Sequence, residues 1–204
     1  MRYLWEVLQT VKLSDLIHGI SPVGIKGNAA IDVSGIAKDS RMVQEGYMFF
    51  ATSKSGLYID DALKRGASVL VTDSETGKPF PCTVIVADVS RTLGRVASHF
   101  NGFPSKHMHV AGITGTNGKT TITYLVESIL RNSGKQAGVI GTISYRYNGH
   151  ILKAENTTPG AIEIHSLMKD MYASKEYRPK GRLLISPCKN GAFGKWVFRV
   201  SIVR

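Results

Sequence analysis

Apolar positions along the chain switch repeatedly between a spacing of two and a spacing of three to four, the signatures of strand and helix. Leu13 to Ile20 reads as a short helix, and Ile31 to Ala37 as a strand with Ile31, Val33 and Gly35 on one side. Gly46 turns the chain into a second strand, Tyr47 to Thr52. After Gly56 a helix runs through Asp60 to Arg65, and the β-branched run Ser68 to Thr72 comes next as a third strand. Another apolar run, Thr83 to Val89, leads into Leu93, Val96, Ala97 and Phe100 at helical spacing, and Gly102-Phe103-Pro104 stops that helix. This stop predicts a domain boundary, with a first domain over residues 1–104.

Beyond Pro104 the pattern starts afresh. His109 to Ile113 reads as a strand feeding a glycine-rich loop, and Ile122, Leu125, Val126, Ile129 and Leu130 then mark an amphipathic helix that ends at Ser133-Gly134. Ala137 to Tyr147 reads as one further strand, Asn148-Gly149 as a hairpin-type turn, and Ala161 to Tyr172 as a helix. The order strand, helix, strand, helix predicts an α/β fold with a largely parallel sheet in a second domain over 105–174. No internal repeat is present.

Composition narrows the class. A hydrophobic share of 43% and a charged share of 20% are those of a chain that packs a core. No run approaches the roughly 20 apolar residues of a membrane span, and no basic-then-apolar leader opens the sequence, so no membrane association and a cytoplasmic location are expected. Cys82 and Cys188 have no His or Cys neighbours at metal-ligand spacing and are expected to be ordinary thiols. The net charge of +11 would suggest a nucleic-acid partner. Much of it, however, sits in Lys175, Arg178, Lys180, Arg182, Lys189, Lys195, Arg199 and Arg204, opposed after Met171 only by Glu176. Without RNA-motif aromatics or a clear amphipathic period, no nucleic-acid partner is expected.

The sharpest chemistry lies in Gly112-Ile113-Thr114-Gly115-Thr116-Asn117-Gly118-Lys119-Thr120-Thr121, between a predicted strand and a predicted helix. A phosphate tail needs inward-pointing backbone N–H groups, which Gly115 and Gly118 permit by allowing a tight turn and close approach. Lys119 brings charge to the terminal phosphates, Thr120 Oγ is a Mg²⁺ ligand by type, and the helix beyond directs its positive end at the anion. The common phosphate-loop pattern wants a glycine where Ile113 stands, so this is a variant. The bland alternative is a glycine-rich turn with an incidental Lys-Thr pair.

The string T-G-T-N-G-K-T-T resembles the phosphate loop of the Mur ligases and their folate-ligase relatives. Asp39-Ser40-Arg41, Gly46 and Phe49-Phe50-Ala51 resemble the D-S-R…G…F-F-A stretch of the uridine-binding first domain in the tripeptide-synthetase branch of the Mur ligases, a domain the folate ligases lack. Gly138 to Thr142 resembles that family's second strand, and Asn156-Thr157-Thr158-Pro159 its T-T-P segment, so the likeness covers about residues 12 to 173. It implies ATP-dependent amide formation in peptidoglycan-precursor synthesis. ATP and Mg²⁺ would be the cofactors, UDP-N-acetylmuramoyl-L-alanyl-D-glutamate the substrate, and diaminopimelate or lysine the amino acid added. It implies further that Gly115, Thr116, Asn117, Gly118, Lys119, Thr120 and Thr121 hold ATP, with Lys119 the catalytic cation and Thr120 on the metal. Ser40 would bind the uridine end, and Asn156, Thr157 and Thr158 the muramoyl-peptide end. Taken singly, Ser40 also reads as a turn residue and Asn156 to Thr158 as a helix cap.

Beyond about Ser174 the likeness stops. A relative should continue into an apolar strand ending in a Mg²⁺-holding Glu, then S-S-H and an Arg, and later a carbamylated lysine. Residues 175–204 read instead as a basic tail of no clear period, either a shift of reading frame or an evolved arm. The expectation is a front portion of such a ligase, its second domain incomplete with an uncovered sheet edge and apolar face, and without ligase activity of its own.

Overall fold

A computed structural model describes residues 10–113, 118–135, 137–141, 143–147, 149–154 and 159–173, and the backbone of 183–187. The chain divides between Phe100 and Asn101 into two compact units.

The first unit contains β1 (Val11–Lys12), α1 (Leu13–His18), β2 (Gly24–Gly27), β3 (Asp32–Val33), β4 (Gly35–Ala37), β5 (Tyr47–Phe50), α2 (Gly56–Lys64), β6 (Val69–Thr72), β7 (Cys82–Ile85) and α3 (Val89–Phe100). Its main sheet has the order β2-β7-β6-β5-β4, with β4 to β7 mutually parallel and β2 antiparallel at one edge. The strands alternate cleanly. Phe49 and Leu70, paired across β5 and β6, join Ile59 and Ala62 of α2 in one buried cluster. Met48 and Phe50, and Val69 and Val71, are buried on the opposite face. There α1 and α3 pack against each other through faces that bury Leu13 and Leu16, and Leu93, Val96 and Ala97. The strand expected over Ile31 to Ala37 is broken. Its first part, β3, pairs with β1, its second part, β4, enters the main sheet, and Ser34 between them binds the Gly46 and Glu45 carbonyls through its N–H and hydroxyl. Gly46 takes φ +79, and a Cβ there would lie 2.7 Å from Ser34 Oγ, which is the physical reason for glycine in that motif.

The second unit contains β8 (His109–Ile113), α4 (Lys119–Asn132), β9 (Ala137–Ile140), β10 (Ser144–Tyr147), β11 (His150–Lys153), α5 (Ala161–Ala173) and β12 (Leu183–Pro187). Two expectations fail in this unit. The run 137–147 is not one strand: Gly141 N–H bonds the Ser144 carbonyl at 3.1 Å, and β10 folds back antiparallel on β9. The stretch after 174 is not without periodic structure, since β12 lies between β8 and β9, parallel to both, with Ile185 opposite Ala111 and Val139. The sheet order is therefore β11-β10-β9-β12-β8, and the largely parallel sheet is a mixed one. Leu183, Leu184 and Ile185 form the short apolar run that a central parallel strand requires, but flanking lysines and arginines hide it.

One face of this sheet is covered by α5, where Ile164, Leu167, Met168 and Met171 pack with Ile140, Tyr145 and Tyr147. Against the other lies α4, in contact with β8, β9 and β12. The outward side of α4 leaves Ile122, Leu125 and Ile129 between 46% and 66% exposed. Among the described residues, no helix is long and apolar enough to cross a membrane.

Candidate nucleotide and substrate sites

In the second unit, β8 delivers the chain to the glycine-rich loop and α4 receives it. Gly118 caps α4 at φ +76, a left-handed backbone that glycine adopts without strain, and a Cβ placed there would meet nothing within 4 Å. Its carbonyl accepts the first helical bond from Ile122 N–H at 2.9 Å. Lys119 and Thr120 are both half-buried at the start of the first turn, as the chain enters the helix. The early N–H groups of a helix have no intrahelical acceptor, so this end of α4 is electropositive and open, as an anionic phosphate requires. Thr120 lines a small pocket with Thr123, Tyr124, Gly141, Ile143 and Arg146. Thr123 is turned away from ligand chemistry, since its hydroxyl donates to the Lys119 carbonyl at 2.8 Å.

Behind the loop lies a group that the sequence did not announce. Arg146 of β10 donates through Nε and NH2 to the Glu127 carboxylate of α4, at 3.1 Å and 2.6 Å to Oε2. Its NH1 donates to Tyr124 Oη at 3.0 Å and Ser144 Oγ at 2.9 Å. Arg131, one turn along α4, also reaches Glu127 at 3.1 Å. The pair fastens the middle of α4 to the hairpin beyond β9. The sequence misdirects here: its apolar stripe Ile122, Leu125, Val126, Ile129 and Leu130 places Glu127 off the expected buried face, whereas α4 buries Thr123 and Glu127 and leaves Ile122, Leu125 and Ile129 exposed.

In the first unit the parallel strands β4, β5 and β6 end together, and Asp39 to Met42, Ala51 to Ser55 and Asp73 form the crest beyond them. Asp39 accepts from the backbone N–H of Arg41 at 3.0 Å and from its guanidinium at 2.6 Å, and this neighbour holds the Asp39 carboxyl well below the usual range. Asp73 accepts from Ser53 N–H at 2.7 Å, which lowers its carboxyl too. With Asp39 and Arg41 engaged with each other, Ser40 points inward and is only 3% exposed. The Ser40 hydroxyl, ahead of Arg65, draws the Asp61 carboxyl of α2 below its ordinary value. Asp61 was not singled out from the sequence, because nothing local links a mid-helix carboxylate to a serine 21 positions earlier.

Of the expected site residues, Ser40 thus belongs to the first unit, and Gly118, Lys119, Thr120 and Thr121 to the second. Gly115, Thr116, Asn117, Asn156, Thr157 and Thr158 lie outside the described residues. Among the described residues no three His, Cys, Asp or Glu side chains gather as a metal site. Cys82 is a buried free thiol whose pKa burial pushes up, while Cys188 lies outside the described residues.

Residues 113–178 match the Mur ligase middle domain. Over 166 residues the chain is 39% identical to a UDP-N-acetylmuramoyl-L-alanyl-D-glutamate--2,6-diaminopimelate ligase from Geobacter sulfurreducens, an alignment spanning 79% of this chain and 33% of the relative. The chain belongs to the Mur ligase family. A ligase of the same name from Aquifex aeolicus is 42% identical over 144 residues, covering 69% of this chain and 30% of its own. This chain therefore spans about a third of the length of the curated Mur ligases it matches. The fold agrees. A solved structure of a UDP-N-acetylmuramoyl-L-alanyl-D-glutamate--2,6-diaminopimelate ligase superposes with a TM-score of 0.67 at 21% identity, over 87% of this chain and 36% of that one. MurF from Acinetobacter baumannii superposes with a TM-score of 0.55 at 16% identity, over 88% of this chain and 36% of that one.

Proposed function

We propose that these residues are the nucleotide-handling part of a ligase that joins diaminopimelate to UDP-N-acetylmuramoyl-L-alanyl-D-glutamate, with ATP as phosphoryl donor. The observation that carries the reading is left-handed Gly118, followed by Lys119 and Thr120 at the N-terminus of α4, inside the stretch that matches the Mur ligase middle domain. Diaminopimelate is preferred to lysine because the curated relatives at 34% to 42% identity carry it in their names.

In this reading ATP supplies the phosphoryl group that converts the substrate carboxylate into an acyl phosphate, which the incoming amine attacks. The N–H groups of Gly115 to Thr121 hold the phosphates, and Lys119 neutralises charge that builds on the transferred group. Thr120 Oγ suits Mg²⁺ as one hard oxygen donor, the rest of the shell coming from phosphate oxygens and water. Ser40 is assigned to the uridine end in a first domain over 1–104, and Asn156, Thr157 and Thr158 to the muramoyl-peptide end in a partial ATP-binding domain over 105–174. The protein works in the cytoplasm, where ATP is available, without membrane or nucleic-acid partners.

The 204-residue chain binds both nucleotides and does not complete ligation by itself. The reason lies in β12, which reads Leu-Leu-Ile-Ser-Pro and lacks the carboxylate that a Mur ligase strand is expected to bring to Mg²⁺. Calorimetric titration with Mg-ATP and with UDP-N-acetylmuramoyl-L-alanyl-D-glutamate, beside an assay for ligated product, tests this. Saturable heats for both without product are expected. No heat with either nucleotide overturns the binding reading, and ATP-dependent product overturns the statement on activity.

A further inference from the structure

Along α4, Lys119, Thr123 and Glu127 stand four apart and form one ridge of the helix, and Thr120 and Tyr124 form the ridge beside it. Arg146 grips both ridges. Its guanidinium donates to Glu127 Oε2 at 2.6 Å and to Tyr124 Oη at 3.0 Å, while a third bond, to Ser144 Oγ at 2.9 Å, fixes it to its own strand. Between this grip and the start of the helix, the Thr123 hydroxyl ties back to the Lys119 carbonyl at 2.8 Å. Thr120, Thr123, Tyr124 and Arg146 line one pocket. The helix is held this way against its own apolar stripe. Thr123 and Glu127 are 2% and 5% exposed, whereas Ile122, Leu125 and Ile129 face outward, roughly 150° away around the helix axis. Burial of aliphatic surface alone would turn the stripe inward and carry both ridges outward.

We infer that Arg146 is a positioning residue for the phosphate site: it pins the rotation of α4, and with it the aim of Lys119 and Thr120 at the helix start. This rests on the reading of that helix start as part of the ATP site. A planar guanidinium suits the task, because its rigid fork meets a carboxylate and a hydroxyl at once in fixed geometry. Without it Glu127 keeps only Arg131, one turn on and 63% exposed, and a turn of the helix that carries the carboxylate to water and the stripe to the sheet becomes favourable. Lys119 and Thr120 swing with that turn, since they belong to the same ridges. Arg146 thereby acts on nucleotide affinity without touching the nucleotide.

The test uses the full 204-residue chain and titrates Mg-ATP well below the thermal midpoint of each variant. In a Cys188→Ser background, where Cys82 is buried, the rate at which a thiol reagent modifies Leu125→Cys reports which way the stripe faces. Arg146→Met is expected to weaken Mg-ATP binding at least about tenfold and to slow the Leu125→Cys reaction by a similar factor, as the population shifts to the turned helix. Adding Ile122→Gln, Leu125→Gln and Ile129→Gln removes the pull of the stripe and is expected to restore most of the affinity without restoring the ion pair. Tyr124→Phe loosens only the second ridge, and is expected to fold and to weaken Mg-ATP about fivefold, the share of one hydrogen bond. A purely structural Arg146 would lower the midpoint, leave the thiol rate unchanged and gain nothing from the glutamines. Absence of Mg-ATP binding by the wild type defeats the ATP-site reading itself, and the thiol rates then still judge the rotation. If Mg-ATP does bind, an unchanged thiol rate in Arg146→Met or an unchanged affinity in Tyr124→Phe overturns the role given to Arg146, the second even if Arg146→Met fails to fold.

Discussion

The Arg146 guanidinium and the Glu127 carboxylate meet at 2.6 Å with side chains only 10% and 7% exposed, and they join α4 to the β10–β11 hairpin. A buried ion pair is a weak source of net stability, because desolvation offsets most of the attraction, but an orphaned member is costly. Replacing Glu127 with Ala leaves two arginines facing each other, and replacing Arg146 with Met leaves a carboxylate with only Arg131. Each single variant is expected to lose about 3 kcal/mol of stability by denaturant unfolding, and Glu127→Leu combined with Arg146→Met to recover most of it. Additive losses in the double variant would show that the two side chains act separately.

Two half-buried titratable groups on α5 set opposing pH limits. Burial lowers His165 to about 4, and its Nδ1 has no partner among the described residues. The folded state therefore resists a proton that the unfolded chain accepts near 6.5, and stability is lost as pH falls from there towards 4. Burial raises Asp170 to about 6. The unfolded carboxyl ionises near 3.8 while the folded one stays protonated, so stability is lost as pH rises between those values and remains lower above them. Asp170→Asn should stabilise the second unit at pH 7 by about 1 kcal/mol, discounted for partial exposure, with no gain at about pH 3.5. His165→Gln should flatten the decline as pH falls from neutral towards 4. Thermal midpoints across about pH 3.5 to 8 check both, and an Asp170→Asn gain that persists at the acid end would contradict the assignment.

The junction between β8 and α4 was legible because its determinants are local: Gly118 where φ turns positive, then Lys119 and Thr120 at a helix start. The hydrophobic spacing located α2 to α5 and β5, β6 and β8 to within a few residues for the same reason. Long-range pairing was not legible. Gly141-Thr142-Ile143 carries no Asn-Gly or Pro signal, so the fold-back between β9 and β10 was hidden inside what reads as one apolar run. Asp61 and Ser40, like Glu127 and Arg146, are brought together by packing of elements whose separation no spacing rule encodes.

Gly118 and Lys119 make separable demands on nucleotide binding. Gly118→Ala puts a side chain at φ +76 in open space, so no clash results, but the left-handed backbone costs about 1 kcal/mol and tilts the loop's N–H groups. Lys119→Ala removes charge and leaves that backbone intact. Both variants are expected to weaken Mg-ATP binding at least tenfold, with a lowered thermal midpoint for Gly118→Ala only. Unchanged ATP affinity in Lys119→Ala would remove the lysine from the phosphate site.

The backbone of β12 completes the second sheet between β8 and β9, and a single proline can probe that role. Proline has no N–H to give a ladder, and in the middle of a sheet it also distorts the strand, at a cost of about 3 kcal/mol or more. Ile185 stands opposite Ala111 on one side and Val139 on the other, so Ile185→Pro removes a bond that ties β12 to a neighbour. The first unit has its own sheet and core, and none of its strands pairs with β12. Hydrogen exchange should therefore show protection lost across residues 109–113, 119–132 and 137–140 while β5, β6 and β7 keep theirs. If amides of β8 and β9 exchange as slowly in Ile185→Pro as in the parent chain, β12 does not hold that sheet together.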